Sequence, residues 1–226
     1  MSGWAEFITA FIAFLAAHMI PMRPRLKSRL VTMLGRAGYI LAFSLLSLGL
    51  LYWLLLAAGR APYVEIWPQA IWQRWLVNIA MPLALLLSVL AVGRRNPFSF
   101  LGRADGFDPD RPGIIGLTRH PLMWALAIWA GAHLLANGDL AHVLLFGVML
   151  AFALSGVIGA EIRARRSLPD FHMLARRTSL WPGAALISGR WRPRGAPSVM
   201  RLMIALLLWL LILQLHQPLI GVSPLP

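Results

Sequence analysis

The chain has 226 residues, 59% of them hydrophobic and only 13% charged, with a mean hydropathy of +0.70, a composition that excludes a soluble globular domain. It contains no cysteine, which excludes disulfides, thiolate-held iron–sulfur clusters and covalently attached c-type haem. The formal charge of +13 falls in short loops between apolar segments and not along one soluble face, so the expected partner is anionic membrane lipid, with no nucleic acid.

Six apolar runs approach the roughly 20 residues that a membrane-spanning helix needs. They lie near Trp4 to Ile20, Ala37 to Ala58, Ile71 to Val92, Pro121 to Ala136, Leu140 to Ala160 and Met200 to Gln217. The first has no basic stretch before it and no small-residue cleavage site, so it is expected to remain as a membrane helix. The fourth is short, and Asn137-Gly138-Asp139 after it predicts a tight helical hairpin into the fifth. The expected fold is all-α: a polytopic membrane helical bundle of about six transmembrane helices, forming one integral domain over residues 1–226.

Charge sets the expected orientation, because loops rich in Lys and Arg stay in the cytoplasm. Loop one carries Arg23, Arg25, Lys27, Arg29 and Arg36, and loop three Arg94, Arg95, Arg103, Arg111 and Arg119. Loop five carries Arg163, Arg165, Arg166, Arg176, Arg177, Arg190, Arg192, Arg194 and Arg201, so 19 of 21 basic residues fall in alternate loops. Both termini are then expected outside. In loop three, Asp105-Gly106-Phe107-Asp108-Pro109-Asp110 lacks the glycine placement and terminal glutamate of a calcium loop and reads as a solvated turn. In loop five a short helix is expected from Phe171 to Arg177. The apolar patch Gly183 to Ile187 that follows, flanked by Trp181 and Trp191, reads as an interfacial or re-entrant segment, a lid on the cytoplasmic side.

Thr118-Arg119-His120-Pro121 opens the fourth run. Proline suits the first turn of a helix and pushes the preceding residue out of helical geometry, which places His120 on the last residue before the helix. That position suits a metal ligand or a proton acceptor; the alternative is a histidine reaching the interface beside Arg119. The topology puts His18, near the inner end of the first span, in the same leaflet as His120. His133, thirteen residues farther along, lies roughly 20 Å deeper and turned away around the axis, so one iron cannot take both. His133, His142 and His216 gather toward the exterior as a second candidate group, with solvation or an interhelical hydrogen bond as the alternatives. His172 lies in a basic loop and has no assigned role.

Two imidazoles from separate helices fit a haem sandwiched non-covalently between His18 and His120. Arg119, Arg23 or Arg25 would meet its propionates, although the orientation rule also accounts for those arginines. The succession of Ala17-His18, Thr118-Arg119-His120-Pro121, Trp129-Ala130-Gly131-Ala132-His133, Asn137-Gly138-Asp139 and Arg177-Thr178-Ser179-Leu180-Trp181-Pro182 resembles the NnrU-like membrane proteins. These include the plant and cyanobacterial 15-cis-zeta-carotene isomerases, and the match spans nearly the whole chain. The resemblance implies a bacterial inner-membrane protein that binds haem b through two histidines, with His18 and His120 at the matching positions and His133 as an alternate. The isomerase branch uses such a haem to turn a cis double bond in a polyene. The NnrU branch is associated with denitrification, which implies redox or nitric oxide metabolism.

Two other classes stay open. Arg-His-Pro followed by a later glutamate also resembles the isoprenylcysteine and phospholipid methyltransferases, whose histidine and glutamate regions help to bind S-adenosylmethionine. Here Glu161 stands alone, Phe171-His172 replaces the usual tyrosines, and Glu161 reads most simply as a helix-end residue paired with Arg165. The other class is a non-catalytic membrane factor that delivers or assembles haem.

Overall fold

A computed structural model describes residues 3–21, 23–99 and 104–225. The expected basic residue Arg103 lies outside them. Among the described residues the architecture is all-helical: α1 (Gly3–Met19), α2 (Pro24–Arg60), α3 (Ile71–Ala91), α4 (Ile114–Leu117), α5 (Pro121–Ala136), α6 (Leu140–Ser167), α7 (Phe171–Ala175), α8 (Ala184–Ile187) and α9 (Val199–Ile220). α2, α3, α6 and α9 are long and apolar enough to cross a membrane, and α1 and α5 are shorter apolar helices. The chain is a polytopic membrane bundle, with its apolar helices where the six runs predict them.

Two helices run well past their expected spans, for physical reasons. α2 has 37 residues, about 55 Å at ~1.5 Å per residue, far more than a bilayer's hydrocarbon thickness. It is two helices joined at Gly35, whose φ of 69° and ψ of 166° only glycine adopts readily. Most of loop one is therefore helix, corrected from a loop: proline at its start and a run of strong helix formers outweigh the charge that hid it. α6 runs two turns past Ala160, which lifts Glu161, Arg163, Arg165 and Arg166 onto the end of a membrane helix.

The contacts group the chain into two units: Met1–Pro68 with Gly138–Leu145, and Gln69–Asn137 with Phe146–Pro226. In the first, α1 packs on α2, and Arg60 Nη1 donates to Glu6 Oε1 at 3.0 Å to tie the start of α1 to the end of α2. Asn137-Gly138-Asp139 makes the expected turn. Within the first unit, Gly138 O accepts from Ile66 N (2.7 Å) and Trp67 N (3.1 Å), while Asp139 Oδ1 accepts from His142 N at 3.2 Å at the start of α6.

In the second unit α3 packs against both α5 and α9. Arg201 on α9 donates from Nη1 to Val89 O (2.7 Å), Leu90 O (3.1 Å) and Val92 O (2.9 Å), satisfying the bare carbonyls at the end of α3. At the opposite end Asn78 Nδ2 donates to Pro224 O at 2.8 Å. α5 has 16 residues, about 24 Å, and buries Ala125, Ala127, Ala130, Ala132 and Ala136. Small side chains let neighbouring backbones approach closely, as association in lipid requires. A second apolar cluster, Phe98, Ile115, Ala164, Phe171, Leu174 and Ala175, joins the third and fifth loops to the end of α6.

Candidate functional site

α5 begins as its sequence predicts. Pro121 is its first residue, and His120 caps it in a non-helical conformation (φ −124°, ψ 57°). His120 N donates to Thr118 Oγ1 at 3.3 Å, so the helix entrance is held from both sides of the histidine.

The side chains before the proline converge on Glu161, from the end of α6. Arg119 grips it with two parallel bonds, Nε to Oε2 at 2.9 Å and Nη2 to Oε1 at 2.8 Å. Such a fork matches carboxylate geometry as a lysine would not. The third nitrogen, Nη1, donates to Thr178 Oγ1 at 3.1 Å, and the guanidinium carbon lies 5.7 Å from the ring centres of both Phe98 and Phe171. His120 Nε2 donates to Glu161 Oε2 at 3.3 Å, and Arg165 Nη2 reaches Oε1 at 2.9 Å. The side chains of Arg119, His120 and Glu161 are 8%, 2% and 6% exposed. A buried charge is tolerable only when its hydrogen bonds are met, and here each has a partner.

The fifth loop is strapped over this cluster by backbone. Arg119 N donates to Ser179 O at 2.8 Å, Gly183 N to Leu117 O at 2.9 Å, Thr118 Oγ1 to Leu180 O at 3.0 Å and Trp124 Nε1 to Leu180 O at 3.0 Å. Trp191 lies over Gly116 of α4, where a Cβ would overlap its indole. The solvated turn of loop three joins the same layer: Asp110 N donates to Asp108 Oδ1 at 2.8 Å, and Asp110 holds Arg177 Nε at 3.0 Å and Arg176. The expected short helix and apolar patch of the fifth loop are α7 and α8.

The helical order and the site lie within one family match. The family model described as NnrU protein matches residues 6–224. The chain belongs to the NnrU family. No curated protein and no solved structure matches it.

The NnrU resemblance implies haem b, and the histidines differ in how they suit it. In the first unit, His18 Nδ1 donates to Phe14 O at 2.8 Å, with the ring against Phe14 and Phe43. That bond puts the lone pair on Nε2 and orients the ring, as partners of metal-bound histidines do. His133, in the second unit, is oriented likewise, through Nδ1 to Trp129 O at 2.8 Å. His120 is turned the other way. A nitrogen that donates to a carboxylate has no lone pair for iron, so His120 in this arrangement does not suit ligation through Nε2. Arg119, expected at a propionate, is held on Glu161, whereas Arg23 and Arg25 are exposed at the start of α2.

Of the remaining histidines, His142 Nδ1 donates to Asp139 Oδ2 at 2.7 Å, His216 Nδ1 to Val222 O at 2.8 Å, and His172 is exposed. Among the described residues no group of three or more His, Asp or Glu side chains is arranged to hold a metal ion. Glu161 is the residue whose importance sequence reasoning missed. Its pairing with Arg165 is present, but Arg119 and His120 share it. The signal was there: an ionisable residue closing an apolar run marks a site by its cost in lipid.

Proposed function

We propose that this NnrU-family membrane protein is a haem b protein of the bacterial inner membrane, with both termini outside. His18 supplies an axial imidazole; the Nδ1 bond to Phe14 O, which leaves the ligating tautomer, is the observation that supports this. Haem, when bound, supplies one-electron chemistry and an iron site for a small ligand or a conjugated double bond. The reading is therefore redox or nitric oxide metabolism linked to denitrification, with cis-trans isomerisation of an apolar polyene as the related enzymatic role. A haem-delivery factor would use the same ligand.

The test is the absorption spectrum of the detergent-purified protein, oxidised and reduced. We expect a sharp reduced haem b signature, its loss in His18→Ala and its persistence in His120→Ala. A change in iron spin state in His133→Ala would assign the alternate ligand, and an unchanged spectrum in His18→Ala removes His18 from the ligand set. Addition of nitric oxide and of a cis-carotene then separates gas binding from isomerisation.

The junction of His120 with Glu161 supports a second reading. These are the two residues on which the resemblance to S-adenosylmethionine-dependent membrane methyltransferases rests, although Glu161 stands alone where those proteins have a paired acidic motif. A colourless protein that binds S-adenosylmethionine, and loses that binding in Glu161→Gln, would replace the haem reading with this one.

A further inference from the structure

The strap over the site has a second face. Inward, Ala185 of α8 is fully buried, Trp191 N donates to Ala185 O at 3.0 Å, and the Trp191 indole covers Gly116. Outward, Ile187 is 88% exposed and Trp181 63% exposed, with Leu186 beside them. Arg190, Arg192 and Arg194 follow at alternate positions, all exposed. Among the described residues no carboxylate pairs with any of the three, whereas Arg176 and Arg177 are both matched by Asp110.

We propose that residues 181–194 dock on anionic phospholipid headgroups, with Trp181 and Ile187 entering the acyl boundary and Arg190, Arg192 and Arg194 meeting the phosphates. Two observations commit the surface to lipid. The chain enters α9, a membrane-spanning helix by length and composition, at Val199, only five residues after Arg194, so the segment is tethered at headgroup level. Its chemistry is also that of an interfacial element: an aromatic and an aliphatic side chain for the acyl boundary beside a cluster of cations for anionic headgroups. Because the inner face of the strap is bonded to residues 117–119, the headgroups outside and the Arg119–Glu161–His120 cluster inside share one piece of backbone. The inference rests on the membrane fold and stands whether or not haem is bound.

Amide hydrogen exchange of the full chain tests it in nanodiscs of phosphatidylcholine alone and of phosphatidylcholine with phosphatidylglycerol. Exchange over residues 184–194 is expected to slow about tenfold or more in the anionic discs, given the attraction of each arginine to such a surface. The difference should disappear near 1 M salt, where screening shortens to roughly 3 Å. The triple variant Arg190→Gln, Arg192→Gln, Arg194→Gln should exchange equally in both discs, with α5 exchange unchanged as proof of folding. Ile187→Ser should raise exchange in both lipids. Equal exchange of the native segment in the two discs, or a lipid dependence that survives in the triple variant, overturns the proposal.

Discussion

A carboxylate that serves two arginines and a histidine at once is costly to disturb. Replacing Glu161 with glutamine keeps the shape but leaves Arg119 charged, buried and without its counter-ion, a loss of about 3–5 kcal/mol by the usual cost of breaking a buried pair. The thermal midpoint in detergent should fall accordingly, and an unchanged midpoint would show that the pair contributes nothing. Arg119→Lys should also lower it, since a lysine can neither fork onto both oxygens nor present a flat guanidinium to the Phe98 and Phe171 rings. His120→Ala removes one hydrogen bond and should cost less, about 1–2 kcal/mol. The position of His120 was legible because His-Pro before an apolar run is a local signal. Its partner was only half legible: Glu161 closes an apolar run and the predicted hairpin folds that run back toward His120, but the direct bond across 41 residues depends on side-chain packing that no local signal carries.

Among the elements, α5 and the strap set the tolerances. Ala130 is fully buried, so Ala130→Leu should overpack α5 and cost about 1–3 kcal/mol, read as a lower midpoint and reduced yield of folded protein. Gly116→Val should push Trp191 off α4 and speed proteolysis between Arg177 and Arg194 without melting α3 or α5; equal cleavage would mean the indole does not pin the strap. The apolar helices were legible because their length in apolar residues is the signal itself. The basic half of α2 was not, since charge and a proline mimic a loop when read without their neighbours. The four-residue α4 and α8 are too short for any periodicity, and they form because loops three and five bond to each other.

For the whole molecule, the testable quantity is which side each loop faces. The chain has no cysteine, so single introduced thiols report cleanly. With basic loops inside, Ser223→Cys should react with an impermeant maleimide on intact cells, and Ser188→Cys only after permeabilisation; the reverse pattern would invert the topology. The expected orientation comes from the alternation of basic loops, which depends on charge counts and not on contacts, and this labelling is what tests it. Gly35 carries a last consequence. No atom outside its own surroundings comes within 4 Å of where its Cβ would stand, so nothing but backbone freedom sustains the break in α2. A side chain there would favour a straight rod, and Arg25, Lys27 and Arg29 would swing with it like the end of a lever. The elbow of the longest helix depends on one missing methyl group.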